Sequence, residues 1–477
     1  MLLRCATIFY GLALLTLPWV GVGLLRLATG RDWGGGLQPS WFFLAAALVC
    51  AGLDRARRRQ WSLGGGWPAG PRTWPLVGTA AIALAILVSV GGIWLAPVGE
   101  TLATTLGRYL KQVVQLAVMI CFTSWVALWT KGSGRWSWTL NLLLVGGLIQ
   151  VAYGLVQAVA YYQPTAAFTW LDGVFTSNPS IMSGSGELYL ADSFRQVPRL
   201  RGTVCEPLYL GNFLLFLLPL TLIPAWTARR RGWIAAAFLL LLLATWSRGA
   251  WLGLLGQGLL LGTLVLVLGP AGTRGILGIE MRMVRRIVLA AAVLALVVPL
   301  VGVLTGWDSL LYPFRRLVQT FSGQDWSNLT RLYSMQAGWR AWLLSPVVGI
   351  GWGQFGWHFP LLVDPLGLQS QFTWPVVNNF PLLILCETGL VGFVVLVGWG
   401  VGLGRAVMGR WLRWRRATQV GPGEARIALC LLATVLSVAG VWLQLLTFSQ
   451  YNLPHIWVGL GLLLAALAET GSGGAET

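Results

Sequence analysis

Charge is scarce in this chain. Of 477 residues only 10% are Asp, Glu, Lys or Arg, while 56% are apolar, and that balance excludes a water-soluble fold. Imidazole chemistry has two possible carriers, His358 and His455. The six cysteines (Cys5, Cys50, Cys121, Cys205, Cys386, Cys430) lie in or beside apolar runs without a paired short spacing. Neither a disulfide framework nor a metal site follows, and no cofactor is expected. Ten-residue segments of alternating polarity are missing as well, which excludes a membrane β-barrel.

What the chain has instead is length of apolar sequence. Runs such as Phe213 to Ile223, Ile287 to Val303 and Leu453 to Leu467 approach or reach what a helix needs to cross about 30 Å of hydrocarbon. Backbone polar groups inside a bilayer must bond internally, so helices are expected. The spans read as 6–25, 38–53, 76–96, 110–130, 139–161, 206–226, 232–247, 249–268, 287–305, 379–403, 427–446 and 452–468. The fold class is therefore an all-α polytopic membrane protein of about 12 transmembrane helices. The first run, Thr7 to Leu25, reads as a retained span and not as a removed signal.

The net charge of +18 does not point to nucleic acid, because the arginines punctuate the ends of apolar runs. An N-terminus in the cytoplasm puts most of the 33 basic residues inside and, with an even number of spans, the C-terminus too. Two long connections, roughly 162–205 and 306–378, then lie on the outer face. The second carries amphipathic content suited to helices lying over the membrane. The 28 tryptophans read chiefly as interfacial anchors, and 471–477 as a flexible polar tail.

Topology leaves several arginines on the outer side without a role as inside markers. Arg248, in TWSRGAW, sits at the tip of a nearly loopless helical hairpin. There an arginine either snorkels or meets an anion, and Gly249 permits close approach. Arg331 and Arg340 are nine residues apart, on opposite faces of one helix, so only one can face a common site. Arg199 and Arg201 lead into RGTVCEPLYLGNF. Guanidiniums converging on one face suit a pyrophosphate, whose oxygens their planar fork pairs bidentately; anionic lipid is the alternative partner.

Four segments together resemble the O-antigen ligase and polysaccharide polymerase superfamily: RGTVCEPLYLGNFLLFLLPL (201–220), LLATWSRGAWLGLL (242–255), RLYSMQAGWRAWLLSPVVGIGWGQFGWHF (331–359) and NNFPLLILCETGLVG (378–392). The resemblance implies a large periplasmic loop, 306–378, between helices 9 and 10. It also implies an N-terminal transmembrane region 1–200 with the first outer loop, and a ligase-like region 201–470. By the same resemblance, a glycan on undecaprenyl pyrophosphate passes to a hydroxyl of an acceptor glycan or lipid A-core, at the outer face of a bacterial inner membrane. Arg248 and Arg331 match the family's pyrophosphate-binding arginines, with Arg201 as a third candidate.

One departure bears on the chemistry. Where the ligases carry a His-Asn pair before the tenth span, this chain reads Asn378-Asn379, and asparagine is no general base. His358, His455, Glu206 and Asp364 are the alternatives, with Asn378, His358 and Glu206 taken as the catalytic candidates. Glu387, within the tenth span, reads as a buried helper that fixes neighbouring helices. A transporter of the inorganic-carbon type and a non-catalytic lipid-glycan binder remain open, although no inverted repeat and no paired broken helices mark a transporter.

Overall fold

The computed structural model describes residues 1–23, 28–30, 37–57, 74–95, 102–130, 132–175, 191–192, 197–223, 227–272, 300, 304, 326–364, 374–416 and 422–469. Among these the chain is helical apart from one two-residue antiparallel pair, Ala191–Asp192 with Val197–Pro198. The N-terminal helices are α1 (Leu2–Leu15), α2 (Pro39–Arg57), α3 (Trp74–Val88), α4 (Leu102–Trp129), α5 (Ser133–Tyr162) and α6 (Ala166–Val174). Then come α7 (Pro207–Leu220), α8 (Ala228–Ala244), α9 (Arg248–Gly272), α10 (Trp326–Leu344), α11 (Phe355–Val363), α12 (Phe380–Arg416), α13 (Pro422–Gln444) and α14 (Pro454–Ala468).

Five of the described helices are long and apolar enough to cross a membrane: Ala103–Trp129, Gly134–Tyr162, Arg248–Leu266, Phe380–Trp414 and Gly423–Gln444. Shorter apolar helices stand at Leu2–Leu15, Ala80–Leu95, Pro207–Leu220 and Pro454–Ala468. Each expected span outside 287–305 coincides with one of the helices, whereas 287–305 and most of the loop at 306–378 lie outside the described residues. The first run is helical only to Leu15, shorter than its apolar length predicts. Pro18 explains the early stop: it has no N–H to donate and its ring disfavours helix at the preceding residue.

The centre of the bundle is α7, clamped by α8, α9, α13 and α14. Nearly every residue from Pro207 to Leu220 is buried, so its apolar sequence faces protein on all sides. Side-chain amides and hydroxyls tie these helices across their backbones. Gln257 donates to Leu215 O at 2.7 Å and to Leu436 O at 3.1 Å, and Ser437 donates to Phe216 O at 2.7 Å. Such bonds across closely packed small residues are what association in lipid relies on, since apolar burial alone gives little preference there. Around this centre α1 packs on α2 and α5, α4 on α14, α3 on α12, and α10 on α11 and α12.

One helix departs from its expected form. The apolar run through CETGLVG predicts continuity, but Gly389 adopts φ 65° and ψ −167°, which breaks α12 after its first turns. The segment Pro346–Gly351 lies in the break and bonds to both sides. Ile350 N–H donates to Cys386 O (2.9 Å) and Gly351 N–H to Glu387 O (3.0 Å), while Leu390 N–H donates to Pro346 O (2.9 Å). The backbone groups freed by the break are thus satisfied by protein, the condition for irregular chain at membrane depth. A broken helix was not foreseen here, and it stands alone, without a paired counterpart among the described residues.

A Cβ at Gly389 would lie 2.2 Å from Val347 O, and its backbone conformation is open essentially to glycine alone. Gly389→Ala is expected to cost about 1–3 kcal/mol from backbone strain before the clash is added. Thermal unfolding of the detergent-solubilised variant checks this, and an unchanged midpoint would show that the segment yields freely.

Candidate functional site

At one end of the bundle the chain enters α7. Leu200 N–H donates to Ala244 O (3.1 Å), and Arg199 Nε donates to Thr245 O (3.4 Å), so this strand of chain closes the carbonyl end of α8. Arg201, only 1% exposed, turns away from it. Its guanidinium forms an ion pair with Asp172 of α6 and donates to Val204 O at 3.0 Å. Tyr153 donates to Asp172 at 2.9 Å, and Gln157 bonds Asp172 together with the backbone of Arg201 and Gly202. Gln150 secures Thr203 in the same way. Arg201 therefore fixes the turn before α7 and its guanidinium is engaged with protein.

That turn delivers Glu206 as the residue capping α7. Its backbone carbonyl receives Tyr209 and Leu210 N–H, while its side chain makes no capping bond. The half-buried carboxylate lies within electrostatic range of Arg199 and Arg331. Arg331 lies in the second turn of α10, and the hydroxyl of Ser334, one turn on, donates to Arg331 O at 2.9 Å. Asn378 donates to that hydroxyl through both its backbone N–H (3.1 Å) and its side-chain Nδ2 (3.0 Å). Nine residues after Arg331, Arg340 donates instead to Leu362 O of α11 at 2.7 Å, on the opposite face that helical spacing predicts.

Arg248 joins the group from α9. The turn before it holds Trp246 at φ 52°, a left-handed conformation unusual for a bulky residue, and Ser247 caps the new helix by accepting Ala250 N–H at 3.3 Å. Next to Arg248, Gly249 faces the turn after α13 so closely that a Cβ there would lie 2.3 Å from Thr447 Oγ1. The neighbouring Leu446 O receives Asn379 Nδ2 at 3.1 Å, while Asn379 Oδ1 caps α12 by accepting Leu382 N–H at 2.9 Å. A continuous set of contacts thus runs from Gly249, next to Arg248, through the 446–447 turn and the Asn378-Asn379 pair to Ser334 and the backbone of Arg331.

The remaining candidates sit elsewhere. His358, buried in α11, has Nδ1 at 3.2 Å from Gln354 O and Nε2 at 3.1 Å from Leu95 O. Burial lowers its proton affinity, and neither nitrogen faces an acceptor hydroxyl. Asp364 is buried at the end of that same helix. His455 lies in the bundle core, where Nε2 meets Asn212 Oδ1 at 2.8 Å beside Phe213 and Phe216. Glu387 accepts Gly353 N–H at 2.8 Å and Phe355 N–H at 3.1 Å, capping α11 and holding the glycine-rich segment against α12. That is the fixing role its sequence position predicts.

Sequence reasoning selected Arg201 from the pair around Leu200, whereas Arg199 is the one beside Glu206. It also missed α6 and hence Asp172; Thr165 before an apolar run, a helix-start signal, could have revealed that helix.

Residues 214–397 match the family model described as O-antigen ligase. The matched stretch includes Arg248, Arg331 and Asn378, whereas Arg199, Arg201 and Glu206 precede it. A search of the curated proteins finds no match. Residues 214–397 of this multi-pass helical membrane protein are thus similar to the O-antigen ligase family.

Proposed function

We propose that the protein is a membrane glycosyltransferase that moves a glycan from undecaprenyl pyrophosphate to an acceptor hydroxyl at the outer face of a bacterial inner membrane. What supports this reading is the set of contacts that joins Gly249, next to Arg248, and the Arg331 turn of α10 to the Asn378-Asn379 turn, within a segment matching the O-antigen ligase family. The full topology belongs to the same proposal: twelve spans, both termini cytoplasmic, and a periplasmic loop at 306–378 within a ligase-like region 201–470.

The chemistry follows from where charge moves. The bond between the anomeric carbon and the pyrophosphate oxygen breaks, its electron pair stays with the pyrophosphate, and the carbon gains cationic character. Arg248 and Arg331 stabilise the departing anion, and a guanidinium fork near the membrane boundary does so more strongly than in water. Asn378, anchored through Ser334, orients a substrate hydroxyl by hydrogen bonding without taking its proton. With asparagine in place of the ligases' histidine, a polymerase or an unusual ligase fits better than a standard O-antigen ligase.

The test uses purified protein in lipid nanodiscs, with undecaprenyl-pyrophosphate-linked glycan and envelope glycan extracted from the native host. Transfer of the glycan and release of undecaprenyl pyrophosphate are expected. No product, together with solute flux into proteoliposomes above that of empty vesicles, would replace this reading with a transporter.

A further inference from the structure

We infer that Glu206 is the group that takes the proton from the acceptor hydroxyl, an assignment that rests on the glycosyl transfer proposed above. Three observations converge on it. Both imidazoles are committed elsewhere, His358 against two backbone carbonyls and His455 against Asn212 in the core. Asn378, the residue facing Arg331 through Ser334, has no basic atom. Glu206 opens α7, whose first turns pack on the turns after α13 and before α9, Tyr209 against Phe448 with ring centroids 5.8 Å apart and Gly211 against Thr245 and Ser247, and unlike Glu387 its side chain is not used to cap a helix.

Its surroundings suit the task. The guanidiniums of Arg199 and Arg331 lie within electrostatic range of the carboxylate. Arg331 is also a proposed partner of the pyrophosphate. Negative charge building on the leaving group draws on that same guanidinium and lies close to Glu206, which raises the carboxylate's proton affinity as the transfer proceeds. The step balances: the hydroxyl oxygen bonds to the anomeric carbon, its proton passes to a Glu206 oxygen, and the carbon–oxygen electron pair leaves on the pyrophosphate. Deprotonation to solvent resets the site. Because it stands just ahead of Pro207 in a chain segment fixed by Gln150, Gln157 and Arg201, the carboxylate is positioned by the fold and not by substrate.

The experiment compares wild type, Glu206→Gln, Glu206→Asp and Glu206→Ala in nanodiscs. Binding of undecaprenyl pyrophosphate reports folding and the arginine site, and transfer from the extracted lipid-linked glycan reports catalysis. Glu206→Gln is expected to bind undamaged but to transfer about a hundredfold or more slowly, the usual weight of general-base assistance. Glu206→Asp, which keeps the carboxylate, should retain more activity than Gln.

Sodium azide supplies the arm that a merely structural role would not move. Azide is already an anion and has no proton to lose, so with Glu206→Ala it should form glycosyl azide and raise turnover about tenfold or more. Undiminished transfer by Glu206→Gln would overturn the assignment and leave the departing pyrophosphate as proton acceptor. Failure of azide to raise turnover in a variant that still binds undecaprenyl pyrophosphate would reduce Glu206 to a positioning residue. Absence of transfer by wild type would instead remove the reaction itself.

Discussion

Replacing Arg331 with lysine is expected to lower glycan transfer by about a hundredfold or more while leaving the protein folded. Lysine keeps the positive charge, so a purely electrostatic role would survive the change. What it loses is the planar fork that meets two phosphate oxygens at once and still leaves donors for Glu206. The helix should persist, because Ser334 and Asn378 hold α10 at this point. Arg340→Lys provides the control on the same helix. Its partner is a single backbone carbonyl, Leu362 O, which an ammonium also satisfies, so transfer should stay within a few-fold of wild type. Initial rates with saturating lipid-linked glycan, alongside undecaprenyl pyrophosphate binding, make the comparison. Equal rates for Arg331→Lys and wild type would remove Arg331 from the mechanism.

Arg201 should behave in the opposite sense. Substituting it with leucine removes the guanidinium from the buried ion pair with Asp172, which is expected to cost about 3–5 kcal/mol of stability. Pairing Arg201→Leu with Asp172→Leu removes both charges together and should recover much of that loss, because desolvating an ion pair offsets most of its attraction. Tyr153 and Gln157 limit the recovery, since their donors to Asp172 lose their acceptor. Thermal unfolding in detergent reads the effect, and the double variant separates an unpaired charge from a missing contact. Stability unchanged in Arg201→Leu, with undecaprenyl pyrophosphate binding lost, would return Arg201 to the pyrophosphate role its motif position implies.

The contrast between these two arginines shows where sequence reasoning reaches and where it ends. Helix positions were legible because apolar run length and the absence of water leave the backbone no alternative. The divergence of Arg331 and Arg340 was legible too, since it follows from helical geometry alone. Choosing between Arg199 and Arg201 was not, because the choice depends on Asp172 of a helix that the sequence reading did not recognise. Gly389 was hidden for a related reason. Its conformation is set by a segment some forty residues earlier in the chain that bonds into the break, and an apolar run with glycines reads the same whether broken or straight. Glu206 could be listed as a carboxylate near a motif, but its neighbours became visible only with α8 and α10 in place.

The turn after α13 carries a consequence for biogenesis. Gly249 packs against Thr447 and Leu446 O accepts from Asn379, so the contacts linking the Arg248 turn to the Asn378 turn pass through residues made late in synthesis. The Arg201–Asp172 network, by contrast, joins residues 29 apart and can close while the ribosome is still delivering the later helices. A nascent chain therefore acquires the rigid turn before α7 early and the contacts around the proposed arginine site last. Until α13 has inserted, the protein holds every arginine of the proposed site without the arrangement that would let them grip a lipid-linked substrate.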